Sequence, residues 1–149
     1  MANLPAEYTN TGGSTGAGGL KCHGKLLTPT NQKCVYRITI NFTNTSTTPL
    51  FIPVELRMTA AADTTGGTFA AAITWNKKNP LDAETVQTTW QNCSANPTTS
   101  SATTVVSKSI NSQETFDTGP LQLNGGQALT LWTTDSTSIG MYIRVEIVE

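Results

Sequence analysis

Cys34-Val35-Tyr36-Arg37-Ile38-Thr39-Ile40-Asn41-Phe42, residues 34–42, is the stretch on which the fold turns. Tyr36, Ile38, Ile40 and Phe42 project to one side of an extended chain, and Val35, Arg37, Thr39 and Asn41 to the other. That is the period-two alternation of a half-buried strand. A strand with a single apolar face needs cover, and a second sheet supplies it in an antiparallel sandwich.

The same pattern recurs toward the C-terminus. Beyond the turn-forming residues Asn44-Thr45-Ser46-Thr47-Thr48-Pro49, Ile52, Val54, Leu56 and Met58 alternate with Phe51, Pro53, Glu55 and Arg57. Pro53 argues for an edge strand or a bulge there. Gly66-Gly67 interrupts the chain before a short strand over 69–75 that ends on Trp75. Asn79-Pro80-Leu81-Asp82-Ala83-Glu84 carries a helix-start pattern, with Asn as N-cap and Pro at the first position. Thr85 to Trp90 reads as strand again, so a helix there is held to a single turn.

Ala95 to Ser101 has a loop composition, and a strand follows through Thr104, Val106, Lys108 and Ile110, with Val105 facing the other way. Asn124-Gly125-Gly126 separates Leu121-Gln122-Leu123 from Ala128-Leu129-Thr130-Leu131-Trp132, the spacing expected of a tight hairpin. Met141, Ile143, Val145 and Ile147 alternate with Tyr142, Arg144, Glu146 and Val148 in a last strand expected at the centre of its sheet. The reading is all-β: an antiparallel β-sandwich of jelly-roll or immunoglobulin-like order with about eight strands and no helix of useful length.

Residues 1–33 read differently. Thr11-Gly12-Gly13-Ser14-Thr15-Gly16-Ala17-Gly18-Gly19 has a flexible linker composition, so 1–33 is expected to be an extended, Gly-rich N-terminal arm and 34–149 the sandwich domain. Such an arm either orders on a neighbouring subunit or frays. Tyr8, Leu20, Leu26 and Leu27 are its candidate interaction residues, the leucines pinning its second half to the body.

Composition limits the function. The 149 residues are 37% hydrophobic and only 13% charged, which suits one globular domain and excludes wholesale disorder. Nine Lys plus Arg against ten Asp plus Glu, net charge −1, make no basic stripe for nucleic acid. No apolar run approaches a membrane span, and no signal-peptide pattern opens the chain, so neither membrane nor export is expected. Threonine fills roughly a fifth of the sequence, in keeping with strands and turns.

Candidate chemistry is sparse. The one histidine, His23, falls in the expected arm, where nothing holds it against a nucleophile. Cys22, Cys34 and Cys93 are expected to be reduced thiols of a protein made in a cytoplasm. Two alternatives are a Cys22–Cys34 bridge that leaves Cys93 over, and a zinc set of Cys22, His23, Cys34 and Cys93, which lacks C-x-x-C knuckles. Glu84, Glu114, Asp117 and Asp135 lie near expected loops or strand ends, where glycosidase pairs occur, but no spacing brings two together. Asp63 and Asp117 serve equally as turn residues, and there is no EF-hand calcium loop. The triplets at Asn41, Asn44 and Asn92 match the glycosylation pattern and are expected unmodified. Neither a cofactor nor a metal is expected. Trp75, Trp90 and Trp132 are either core residues or a sugar-stacking face, the latter only where two lie side by side in solvent.

The segment from Ser109 to Gln127, with Phe116-Asp117-Thr118-Gly119-Pro120 and Asn124-Gly125-Gly126 inside it, together with the closing strand Gly140 to Glu149, resembles the C-terminal hairpin and last strand of small tailed-bacteriophage virion proteins. The resemblance covers about the last quarter of the chain. It implies a non-enzymatic capsid decoration (cement) protein, a homotrimer seated on the major capsid protein at capsomer junctions. Its arm would cross the capsid surface of a virion assembled in the host cytoplasm. The alternative is a carbohydrate- or receptor-binding β-sandwich module of a fibre, and an enzyme would need a pocket that gathers Glu114, Asp117 or Asp135.

Overall fold

The computed structural model describes residues 6–10, 20–44, 51–60, 67–73, 81, 86–97, 103–111, 114–134 and 139–148. The regular elements among them are strands: β1 (Ala6–Asn10), β2 (Leu20–Leu27), β3 (Cys34–Asn44), β4 (Phe51–Ala60), β5 (Thr68–Phe69), β6 (Thr89–Ala95), β7 (Thr103–Asn111), β8 (Thr115–Leu123), β9 (Gln127–Thr134) and β10 (Ile139–Val148). They form a four-stranded sheet in the order β1-β10-β3-β8 and a six-stranded sheet in the order β5-β6-β2-β9-β4-β7, with antiparallel pairing throughout.

The pairings are nested. β4 pairs with β7, β3 with β8, β2 with β9 and β1 with β10, so the chain is one long antiparallel ribbon rolled across two sheets. Of the two expected orders, this is the jelly roll. β5 and β6 are inserted between β4 and β7 and extend the six-stranded sheet beyond β2.

One core joins the sheets. Tyr36, Ile38, Ile40 and Phe42 of β3, with Ile143, Val145 and Ile147 of β10, meet Leu26, Ile52, Val54, Leu56, Trp90, Leu129 and Leu131 from the other sheet. The alternation in β3 and β10 therefore marks the inner face as expected, and β10 is interior to its sheet. The Tyr36 hydroxyl crosses the core to Thr28 Oγ1 at 3.3 Å and Thr88 Oγ1 at 2.9 Å. A buried hydroxyl thereby keeps partners where water is excluded.

Several expectations are corrected. Leu20–Leu27 is not the second half of an arm: β2 lies inside the six-stranded sheet, between β6 and β9, so the chain enters the roll well before residue 34. The expected hairpin at Asn124-Gly125-Gly126 is a crossing between sheets, since β8 pairs with β3 and β9 with β2. Gly126 has φ +76°, and the Gln127 N–H donates to the Asn124 carbonyl at 3.2 Å, a turn with its positive φ at the third position. The turn is docked on the loop after β2: the Gly126 N–H donates to the Pro29 carbonyl at 3.2 Å, and a Cβ on Gly125 would collide with the Thr30 carbonyl.

Pro53 lies on an interior strand, at a position paired to β7 but one residue before the β9 ladder begins at Val54, which is where a missing N–H is tolerated. Of the strand expected at 69–75, Phe69 lies in the short β5 (Thr68–Phe69), 70–73 are not strand and 74–75 lie outside the described residues; of that expected at 85–90, only Thr89 and Trp90 are strand among the described residues. The helix start at Asn79 to Glu84 lies, apart from Leu81, outside the described residues.

Candidate functional site

A bulge in β2 builds the most distinctive side-chain cluster among the described residues. Cys22 is in register with Trp132 and Gly24 with Leu131, so His23 is an extra residue on β2. Trp132 and Thr130 share a face of β9, and Lys25 is in register with Thr130; Cys22 therefore shares the outer face with Lys25, although the two are three residues apart. Without the bulge Cys22 would point into the core beside Leu26.

The bulge also turns His23 inward. Its Nε2 lies 2.8 Å from Thr133 Oγ1, and the ring is 4% exposed. His23 is thus a buried strand residue rather than part of an arm. Next to it Gly24 leaves room for the Trp90 indole, which a Cβ on Gly24 would enter. The Trp90 Nε1–H donates to Asn92 Oδ1 at 2.9 Å, so the ring is fixed between the sheets.

On the outer face two cations cover two aromatic rings. The Arg57 guanidinium lies 4.4 Å from the Trp132 ring centre and the Lys25 ammonium 4.3 Å from that of Phe69. Glu55 Oε2 holds Arg57 in place, accepting from Nε at 2.9 Å and Nη2 at 2.8 Å. The Trp132 Nε1–H donates to Thr130 Oγ1 at 2.9 Å, and Thr130 Oγ1–H donates to the Arg57 carbonyl at 3.2 Å. Burial pulls the Lys25 ammonium below the ordinary lysine value, with Cys22 and Cys93 opposing.

Cys93 completes this face from β6, in register with Phe69. It lies close enough to Cys22 that each thiol influences the other's titration. Cys34, the partner of Cys22 in the alternative bridged reading, is buried on β3 opposite Leu123, in the other sheet, and all three thiols are free. The four-residue zinc set is dispersed in the same way, and among the described residues no three His, Cys, Asp or Glu side chains converge as metal ligands.

The expected interaction residues scatter. Leu26 and Trp90 are core side chains, and Leu20 and Leu27 are half-buried at the ends of β2. Tyr8 lies on β1 in register with Ile143. Trp132 is 4% exposed and lies on the opposite face of the sheet from Trp90, so these two do not form a solvated pair. Trp75, Asp63, Glu84 and Asp135 fall outside the described residues. Asp117 is engaged on the outer face of the four-stranded sheet, where its carboxylate accepts from Arg37 Nε at 3.0 and 3.1 Å. The Arg37 guanidinium, followed by the Gly119 N–H, holds that carboxyl below the usual carboxylate range.

Sequence reasoning missed the Arg57–Trp132 and Lys25–Phe69 pairs and the meeting of Cys22 with Cys93. The outward placement of Arg57 was readable from the alternation in β4; the bulge that brings Cys22 to the same face has no marker in the sequence. Compared with known protein families, curated proteins and solved structures, the chain matches none.

Proposed function

We propose that this chain is a non-enzymatic virion structural protein, a capsid decoration protein that binds the major capsid protein as a homotrimer. The observation that carries the reading is the strand order, a jelly roll in which β1 of the N-terminal segment adds to β10 at the sheet edge. Jelly rolls serve in viral capsid and lectin domains, which is an argument by analogy of fold. Between those two uses, the described tryptophans favour the first. Sugar stacking needs an open aromatic face, whereas Trp90 is in the core and Arg57 lies over Trp132.

In this reading the outer faces and edges of the roll are contact surfaces, and reinforcement comes from multivalency. Three copies in one trimer bind as a unit, so individually weak contacts add up to firm attachment. β1 follows the sheet edge and is a strand suited to edge pairing on the shell or on a neighbouring subunit.

Light scattering on a size-exclusion column, paired with a glycan array, separates this reading from the fibre-module alternative. A trimer that binds no glycan supports the decoration protein. A monomer that binds a defined glycan overturns it in favour of the alternative.

A further inference from the structure

β2 pairs with β6 from Leu27↔Thr89 to Gly24↔Asn92. Beyond Gly24, β2 carries the extra residue His23, as its register with β9 shows. Counting outward past that bulge, the next residue of β2 to reach the outer face is Cys22, and the next residue of β6 after Asn92 is Cys93. Both cysteines therefore face outward on neighbouring antiparallel strands, just past the last β2–β6 pair, and residues facing each other across such strands have Cα separations that a disulfide spans.

We infer that Cys22 and Cys93 are a redox pair, which closes to an intramolecular disulfide in an oxidising environment and locks the inserted β5–β6 pair to the roll. The side-chain contacts agree. The two thiols are near enough to influence one another's titration, with Cys22 Sγ 3.7 Å from the Gly24 carbonyl and Cys93 Sγ 3.0 Å from the Ala95 carbonyl. The Asn96 side chain anchors the adjoining backbone: its Oδ1 accepts from the Cys22 N–H at 2.9 Å and its Nδ2 donates to the Leu20 carbonyl at 3.4 Å.

The groups differ in access, and that sets the order of events. Cys22 is fully buried and Cys93 only half-buried. Burial pushes both thiols up, Cys22 much further, while Lys21 and Lys25 favour the Cys93 thiolate. Cys93 is thus the entry point. As thiolate it attacks one sulfur of a small-molecule disulfide such as oxidised glutathione, expelling one glutathione thiolate and forming a mixed disulfide. The Cys22 thiol then gives up its proton and attacks Cys93 Sγ, and the second glutathione thiolate leaves. The protein loses two electrons and two protons, and the small disulfide is reduced to two thiols.

The test uses the full-length protein in buffers of graded oxidised to reduced glutathione, read by intact mass, thiol count after denaturation, and peptide mapping. The expected result is a loss of about 2 Da with one remaining thiol, Cys34, and a Tm raised by roughly 10 °C over the reduced form. Cys34→Ser should keep the transition and Cys93→Ser should abolish it, each remaining folded. Three thiols that persist in the folded protein at every ratio would overturn the inference. So would a glutathione adduct that stops at Cys93, a bridge to Cys34, or dimers joined through Cys93.

Discussion

Gly24 has no side chain because the Trp90 indole occupies the space that a Cβ would take. Gly24→Ala is therefore expected to cost about 1–3 kcal/mol through overpacking, read from the denaturant midpoint. Combining it with Trp90→Leu should give a loss smaller than the sum of the two single variants, and strict additivity would show that the indole is not the obstacle. The two turn glycines separate conformation from space. Gly126, at φ +76°, has nothing within 4 Å of the position a Cβ would take, so Gly126→Ala should cost only the left-handed strain, about 1–2 kcal/mol. Gly125→Ala drives a methyl into the Thr30 carbonyl and should cost more. Asp117 sets an acid-side signature. Its folded pKa is depressed, chiefly by Arg37, so the pair adds stability above the unfolded carboxylate value of about 3.9 and loses it as pH falls through the folded value. Stability profiles of the parent and Arg37→Gln should accordingly run apart near neutrality and converge in acid below about pH 4; a constant offset down to the lowest pH would contradict this.

Strands and turns obey local rules, but pairing partners do not. Ile40 of β3 is fully buried while Asn41 beside it is exposed, so Ile40→Asp should leave the protein unfolded and Asn41→Asp should melt cooperatively near the parent, as followed by circular dichroism. Equal tolerance of both would overturn the face assignment. The strands β3, β4, β7, β9 and β10 were legible because period-two alternation needs only their own side chains. The turn at Asn124-Gly125-Gly126 was legible too, but its glycines permit a crossing between sheets as readily as a hairpin, and only the nested ladders decide which forms. β2 was hidden for a different reason. Leu20-Lys21-Cys22-His23-Gly24-Lys25-Leu26-Leu27 has no clean alternation, because the bulge at His23 shifts the period midway and a glycine occupies a core-facing position. The Cys22–Cys93 contact was unreadable on the same account, since it depends on that shift.

At the scale of the molecule, the nested roll makes the N-terminal region unequal along its length. Deleting residues 1–33 removes β2 from between β6 and β9 and should abolish folding, whereas deleting 1–19 takes out, among the described residues, only the edge strand β1 and should leave a cooperatively melting body. If that shorter form proved unfolded, β1 would be part of the stable roll rather than an addition to it. In the proposed role the shorter form should bind capsids less well, because each copy loses one attachment that the trimer multiplies. The proposed attachment to a capsid is tested by sedimentation of the purified full-length protein with expanded tailed-phage heads stripped of their decoration protein. Saturable binding in whole trimers at capsomer junctions is expected, with heads made more resistant to heat; heads that sediment without bound protein, at concentrations where the trimer is intact, would overturn the proposed role.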